Sequence, residues 1–185
     1  MIDDLHKETK ASMEQSADAF RRELKRIRTG RASLALLDGI VVQYYGTPTP
    51  INQLATLSIP EPRQIVIQPW DAGALQEIER AILKSELGLT PTNDGKVVRI
   101  VLPPLTADRR KDLVKLVRKL GEEFKVQVRN HRREANETLK EMKKEKEISE
   151  DDLHKAQELV QKTTDQYIAK MDGIIAEKEA EIMEI

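Results

Sequence analysis

From Thr106 to Lys146 the chain runs about 40 residues without a proline, and its side chains repeat with helical period. Wound at about 100° per residue with Phe124 as origin, Leu113, Val117, Leu120, Phe124, Val128, Ala135 and Met142 fall within about 40° of one line. On one flank lie Lys111, Lys115, Arg118, Lys125, Arg129, Arg132, Arg133, Lys140 and Lys143, with only Glu122 among them. On the other lie Asp112, Glu123, Glu134, Glu137 and Glu141, with Lys119 and Lys144 among or just beyond them. Such a helix would span about 60 Å and is not stable alone in water, because its apolar stripe needs a cover. Its sorted charges place a basic ridge beside the buried seam, and such a ridge suits phosphate.

Two further helices can supply the cover. Ile2, Leu5, Met13, Phe20, Leu24 and Ile27 share one face, widened by Thr9, Ser16 and Ala17, and Gly30 marks the end. After a break near Glu147 and Ile148, the run from Ser149 to Asp152 is a capping signal. Leu153, Ala156, Val160, Thr163, Tyr167, Met171 and Ile174 then continue at spacings of three and four, extended by Ile175 and Ile182. Between the first helix and the long one the character changes. Ile40–Tyr45, Leu54–Ile59, Gln64–Gln68 and Val97–Leu102 read as strands. Ala74–Glu86 reads as a short helix, and 47–50, 60–62 and 93–95 as loops or turns. The long helix starts after Pro103 and Pro104, with Thr106 as its cap.

The expected architecture is α+β: an elongated antiparallel three-helix bundle from residues 1–30 and 105–185, with a small β/α/β lobe inserted at 31–104. Gly30 on one connection and Pro103 with Pro104 on the other would form a hinge about which the lobe swings as a body. A chain with 34% charged and only 3% aromatic residues fits a thin bundle better than a deep core. The net charge of −1 hides a segregation. Residues 105–147 hold 14 basic and 9 acidic residues, a balance of +5, and residues 148–185 hold 4 basic and 10 acidic, a balance of −6.

The search for reactive chemistry yields little. There is no cysteine, which removes disulfides, thiol nucleophiles and cysteine–zinc sites and agrees with a cytoplasmic location. The N-terminus does not read as a secretory signal, and no apolar stretch is long enough to span a membrane. His6, His131 and His154 stand in no metal-ligand spacing, and no glycine-rich phosphate loop is present. His131 falls in the middle of the seam and reads as a partly buried histidine satisfied by a neighbour, with a pH-sensitive role as the alternative. No nucleophile with a base and an orienting carboxylate can be named, so catalysis is not expected. What remains is Arg129, Arg132 and Arg133, adjacent at i, i+3 and i+4. One reading is a solvated face paired with the acidic C-terminal helix. The other is a grip on phosphate, for which the arginine fork is well shaped. With almost no aromatics nearby, shape and backbone recognition of folded RNA fits better than base stacking.

Several stretches are distinctive: Arg28-Thr-Gly-Arg-Ala-Ser33, Tyr44-Tyr-Gly-Thr-Pro-Thr-Pro-Ile-Asn-Gln-Leu-Ala55 and Gln68-Pro-Trp-Asp71. Asp94-Gly95, Pro104-Leu-Thr106 with Arg109-Arg110, Val128-Arg-Asn-His-Arg-Arg-Glu-Ala-Asn136 and Lys146-Glu-Ile-Ser-Glu-Asp-Asp152 follow them. In this order they resemble the bacterial ribosome recycling factor family, and the likeness covers the whole chain, although it implies an aliphatic residue where His131 stands. It implies an L-shaped molecule whose bundle resembles a transfer RNA and contacts ribosomal RNA of the large subunit on the post-termination ribosome. Elongation factor G, using GTP, would act on the lobe and hinge to separate the subunits and free the messenger RNA. The family's RNA-facing arginines match Arg129, Arg132 and Arg133, with Arg110, Arg28 and Arg31 as helpers. No cofactor, metal, membrane or catalytic residue is implied, and the chain is expected to act as a monomer in the cytoplasm. Two other classes fit the residues: a helical-bundle scaffold for protein interaction, and a general RNA-binding protein.

Overall fold

The computed structural model describes residues 1–184. Its contacts divide the chain into two compact units: Met1–Arg28 with Ala107–Glu184, and Thr29–Thr106. The C-terminal residue of the expected bundle range, 185, lies outside the described residues.

The first unit is a bundle of α1 (Ile2–Arg26), α3 (Ala107–Lys144) and α4 (Glu150–Met183). Its interior follows the spacings of three and four. Met13, Ala17, Phe20 and Leu24 of α1 are buried with Leu113, Val117, Phe124, Val128, Ala135 and Leu139 of α3 and Ala156, Val160, Tyr167, Met171 and Ile182 of α4. The Phe20 and Phe124 ring centroids lie 5.2 Å apart. Gly121 is buried on α3, and a Cβ there would run into Ile175 of α4, within 2.9 Å of its Cγ1. Only glycine therefore admits the α4 side chain at that level. Polar contacts stitch the seams: Tyr167 Oη donates to Glu14 at 2.6 Å and Lys170 Nζ to the same carboxylate at 2.8 Å. His131 lies half-buried with Nε2 3.2 Å from Ser16 Oγ, the satisfied neighbour expected of it. The turn that follows α3 holds a left-handed Lys146 (φ 62°). Ser149 caps α4, its side chain accepting from the Asp152 amide at 3.0 Å while the Asp152 carboxylate takes the Ser149 amide.

The second unit carries two antiparallel sheets, one α-helix and three short 3-10 turns at Leu34–Leu37, Ile51–Gln53 and Ala72–Ala74. β1 (Val41–Tyr44) pairs with β2 (Thr47–Pro50) through a two-residue turn, with Tyr45 and Gly46 both at positive φ. Residues 47–50, expected as a loop because of two prolines, are thus a strand. Pro48 and Pro50 alternate with Thr47 and Thr49, so the threonine amides face β1 and the missing proline donors fall on the open edge. β3 (Ala55–Glu61), β4 (Gln64–Pro69), β5 (Pro91–Asn93) and β6 (Val98–Val101) form the second sheet in the order β3-β4-β6-β5. β3 runs through Pro60, at an irregularity between Ser58 and Glu61, instead of turning there. β5 is too short to announce itself. Ile65 and Ile67 of β4 face inward opposite Ile100 and Val98 of β6, and α2 (Leu75–Lys84) covers them with Leu75, Ile78 and Ile82. Tyr44 and Tyr45 donate to the Asp71 carboxylate at 2.8 and 3.3 Å, tying two of the family-like stretches together.

Both points where the chain enters and leaves this unit are held by one turn. The Ala32 amide donates to Pro62 O and the Leu102 amide to Arg63 O, each at 2.7 Å. Gly30 has φ 76°, and a Cβ there would lie 3.0 Å from Leu105 Cγ, so the two connections pass side by side.

Candidate nucleic-acid interface

The basic flank of α3 is not uniform. Arg118 Nε donates to Glu179 of α4 at 2.5 Å, which holds the guanidinium above its ordinary pKa. Seven residues on, Lys125 is buried and pairs with Asp172 of α4 and, at 3.2 Å, with Glu122. Asp172 is the main cause of its raised pKa, outweighing the burial that lowers it. Lys125 therefore belongs to the seam, not to the exposed ridge. Near the far end, Lys143 pairs with Glu150 at 3.4 Å.

Between these lies a stretch of a different kind. Arg129 and Arg132 are half-buried and Arg133 is exposed. Among the described residues, none of the three forms an ion pair with a carboxylate. The contact given to Arg132 is neutral: Nη1 donates to Gln161 Oε1 of α4 at 3.3 Å. Spacings of three and four put the three cations on adjoining turns of a rigid helix, where their mutual repulsion is relieved only by water, salt or an anion. A long arginine side chain can lay its stem along apolar surface and keep its head in water, and the guanidinium fork suits a phosphate.

The other expected contributors are placed differently. Arg110, at the start of α3, donates from Nη1 to Met183 O at 2.8 Å and so closes the C-terminal end of α4, whose last turn carries no basic residue. A backbone carbonyl leaves its charge intact but fixes its direction. Arg28 already interacts with a neighbour and lies in the bundle unit, and the exposed Arg31 lies in the sheet unit. Sequence reasoning allowed for pairing with the acidic C-terminal helix but did not single out Glu179 and Asp172, the α4 acids that neutralise part of the ridge. Their signal was present: Glu179 and Asp172 are seven residues apart, as are Arg118 and Lys125, and antiparallel helices align such pairs.

The chain is similar to known proteins along its whole length. The profile of the family described as Ribosome recycling factor matches residues 20–183. The Ribosome-recycling factor of Syntrophus aciditrophicus is 59% identical, with all of both chains covered, and that of Desulfatibacillum aliphaticivorans is 56% identical with the same coverage. A solution structure of the ribosome recycling factor superposes with a TM-score of 0.74 at 46% identity, covering 100% of this chain and 98% of that one. Similar too, at a TM-score of 0.62 and 47% identity over 98% of each chain, is the T. thermophilus ribosome recycling factor in a structure with E. coli elongation factor G, bound to the E. coli post-termination complex.

Proposed function

The chain belongs to the ribosome recycling factor family, a family of non-enzymatic translation factors, and its function is ribosome recycling; from that premise we propose how its own residues carry the work. The bundle docks on phosphates of large-subunit ribosomal RNA through Arg129, Arg132 and Arg133. Arg28, Arg31 and Arg110 add contacts at its periphery. The observation that carries this reading is a trio of adjoining guanidiniums on one helix that meets no carboxylate among the described residues, while Arg118, Lys125 and Lys143 on the same flank are paired with α4 and Lys111, Lys115 and Lys140 stand singly. Elongation factor G, which accompanies the similar T. thermophilus factor on the post-termination complex, supplies the GTP hydrolysis. The protein itself works as a monomer in the cytoplasm.

We further propose that residues 1–30 with 105–185 act as one body and 31–104 as another, and that Gly30, Pro103 and Pro104 form the joint. Support comes from the turn at Pro62 and Arg63, which holds both roots of the sheet unit together. A push on that unit is then transmitted to both connections at once.

The test is separation of post-termination ribosomes into subunits with this protein, elongation factor G and GTP, each omitted in turn. Arg132→Ala is expected to weaken ribosome binding and slow splitting while helix content and melting hold. Loss of melting in that variant would make the arginine structural and end the docking assignment. Equal affinity for naked duplex RNA and for ribosomes would replace it with general RNA binding.

A further inference from the structure

The ion pairs between α3 and α4 follow a seven-residue ladder, and one rung of it is left open. Arg118, Lys125 and Arg132 are seven apart on α3, and Glu179, Asp172 and Asp165 are seven apart, in the reverse direction, on α4. The first two rungs are closed, Arg118 on Glu179 and Lys125 on Asp172. Antiparallel register makes Arg132 on Asp165 the next one. It does not form. Gln161, one turn before Asp165 on α4, stands between them: Arg132 Nη1 donates to Gln161 Oε1 at 3.3 Å, and Gln161 Nε2 donates to Asp165 Oδ1 at 2.8 Å. The amide turns its oxygen to the cation and its nitrogen to the anion, so both charges are satisfied in part and neither is neutralised.

We propose that Gln161 is a positioning residue that keeps Arg132 from being captured by Asp165, and so keeps the central guanidinium of the ridge available to a phosphate. The inference rests on the reading that Arg132 meets ribosomal RNA phosphate. A carboxylate would occupy the arginine fork in a bidentate way and cancel its charge, and an incoming phosphate would have to displace it. A neutral amide oxygen takes one of the five guanidinium N–H groups and leaves four to an anion. It also fixes the orientation of the long side chain, which lowers the ordering that docking must impose. Asp165 meanwhile spends one oxygen on the amide instead of reaching for the arginine. The arrangement converts what would be a third structural rung into a presented cation.

The experiment compares wild type, Gln161→Ala, Gln161→Ala with Asp165→Asn, Arg132→Ala, and Arg132→Ala with Gln161→Ala, in binding to isolated large ribosomal subunits across a salt series. Melting of each variant is followed in parallel. Gln161→Ala removes the spacer with a good helix former, so the fold is retained. Its affinity is expected to fall about fivefold, the range of one surface ion pair, and its log–log salt slope to shrink by about one. Adding Asp165→Asn is expected to bring affinity back to within about twofold of wild type, because the captor is gone. In the Arg132→Ala background the Gln161 change should be silent. Wild-type affinity in Gln161→Ala, or a loss that Asp165→Asn does not reverse, overturns the inference while leaving the docking reading in place. Unaltered binding by Arg132→Ala overturns the docking reading itself, and the inference with it.

Discussion

Two stretches of the same helix flank carry the same kinds of residue and come to opposite ends. Over Arg118–Lys125 both cations pair with carboxylates of α4, Lys125 is buried, and Gly121 between them lets the helices approach closely. Over Arg129–Arg133 the cations stay clear of carboxylates, and the contact given to Arg132 is to an amide. Sorting of charge along a helix thus does not decide between a structural and a docking role. What decides is the residue the neighbouring helix sets opposite each cation. Carboxylates at Glu179 and Asp172 neutralise Arg118 and Lys125, and an amide at Gln161 leaves Arg132 without a counter-charge.

The largest effect should come from emptying the second stretch. Replacing Arg129, Arg132 and Arg133 together by alanine is expected to lower affinity for the large subunit by about 100-fold at low salt, about one good phosphate contact per side chain. Melting should stay within about 2 °C of wild type, since no native ion pair is lost. The contrast breaks if Arg118→Ala costs as much binding as the triple variant.

Next is a change confined to the first stretch. Gly121→Ala drives a methyl into Ile175, and overpacking of this kind destabilises by about 1–3 kcal/mol. Denaturant unfolding should show the loss, and Ile175→Val should recover part of it by removing the atom that is struck. Large-subunit affinity of the folded variant should equal that of wild type. Lys125→Ala follows at about 1–2 kcal/mol, from lost packing of its stem and an Asp172 left without its cation. It too should spare binding. A Lys125 variant that loses ribosome affinity without losing stability would move that residue from the seam to the docking surface.

The smallest effects are in the titration of the α1–α4 seam, where a charge is again consumed inside the bundle. The Lys170 ammonium, then the Tyr167 hydroxyl, hold the Glu14 carboxyl below its ordinary value. A depressed carboxyl stabilises the fold above the unfolded value near 4.5 and loses that contribution as pH falls through the folded value. Melting should therefore decline more steeply below about pH 5 in wild type than in Glu14→Gln. Burial, with Glu14 beside it, pushes the Tyr167 hydroxyl up to about 12. Its contribution is complete below pH 10 and lost as pH rises toward 12, so ultraviolet titration of the folded protein should lose a late phenol in Tyr167→Phe and keep that of Tyr44, which its hydrogen bond to Asp71 also raises.

Much of this molecule was legible in the chain. Helical spacing located α1, α3 and α4 to within two residues at most ends, because each stripe is long and each has a cap or break: Gly30, Thr106, Ser149. The β-rich insert was legible where β-branched residues alternate, as in Gln64–Gln68. It was not legible at residues 47–50 or Pro91–Asn93, where prolines mask an edge pairing and three residues give no period. The trio of arginines stood out by type and spacing. Which of the nine cations on that flank were already taken did not, because the answer lies on a helix that folds back from beyond the turn at Lys146. Lys125 shows the difficulty. Its angle on the helix put it with the exposed ridge, and only the α4 acid opposite drew it inward.

The most direct measurement is the salt dependence of large-subunit binding for wild type, Arg132→Ala and Arg118→Ala side by side. The account predicts that Arg132→Ala weakens binding and lowers the log–log slope by about one, while Arg118→Ala leaves both unchanged. Equal slopes for wild type and Arg132→Ala, or a drop in slope with Arg118→Ala alone, would contradict it.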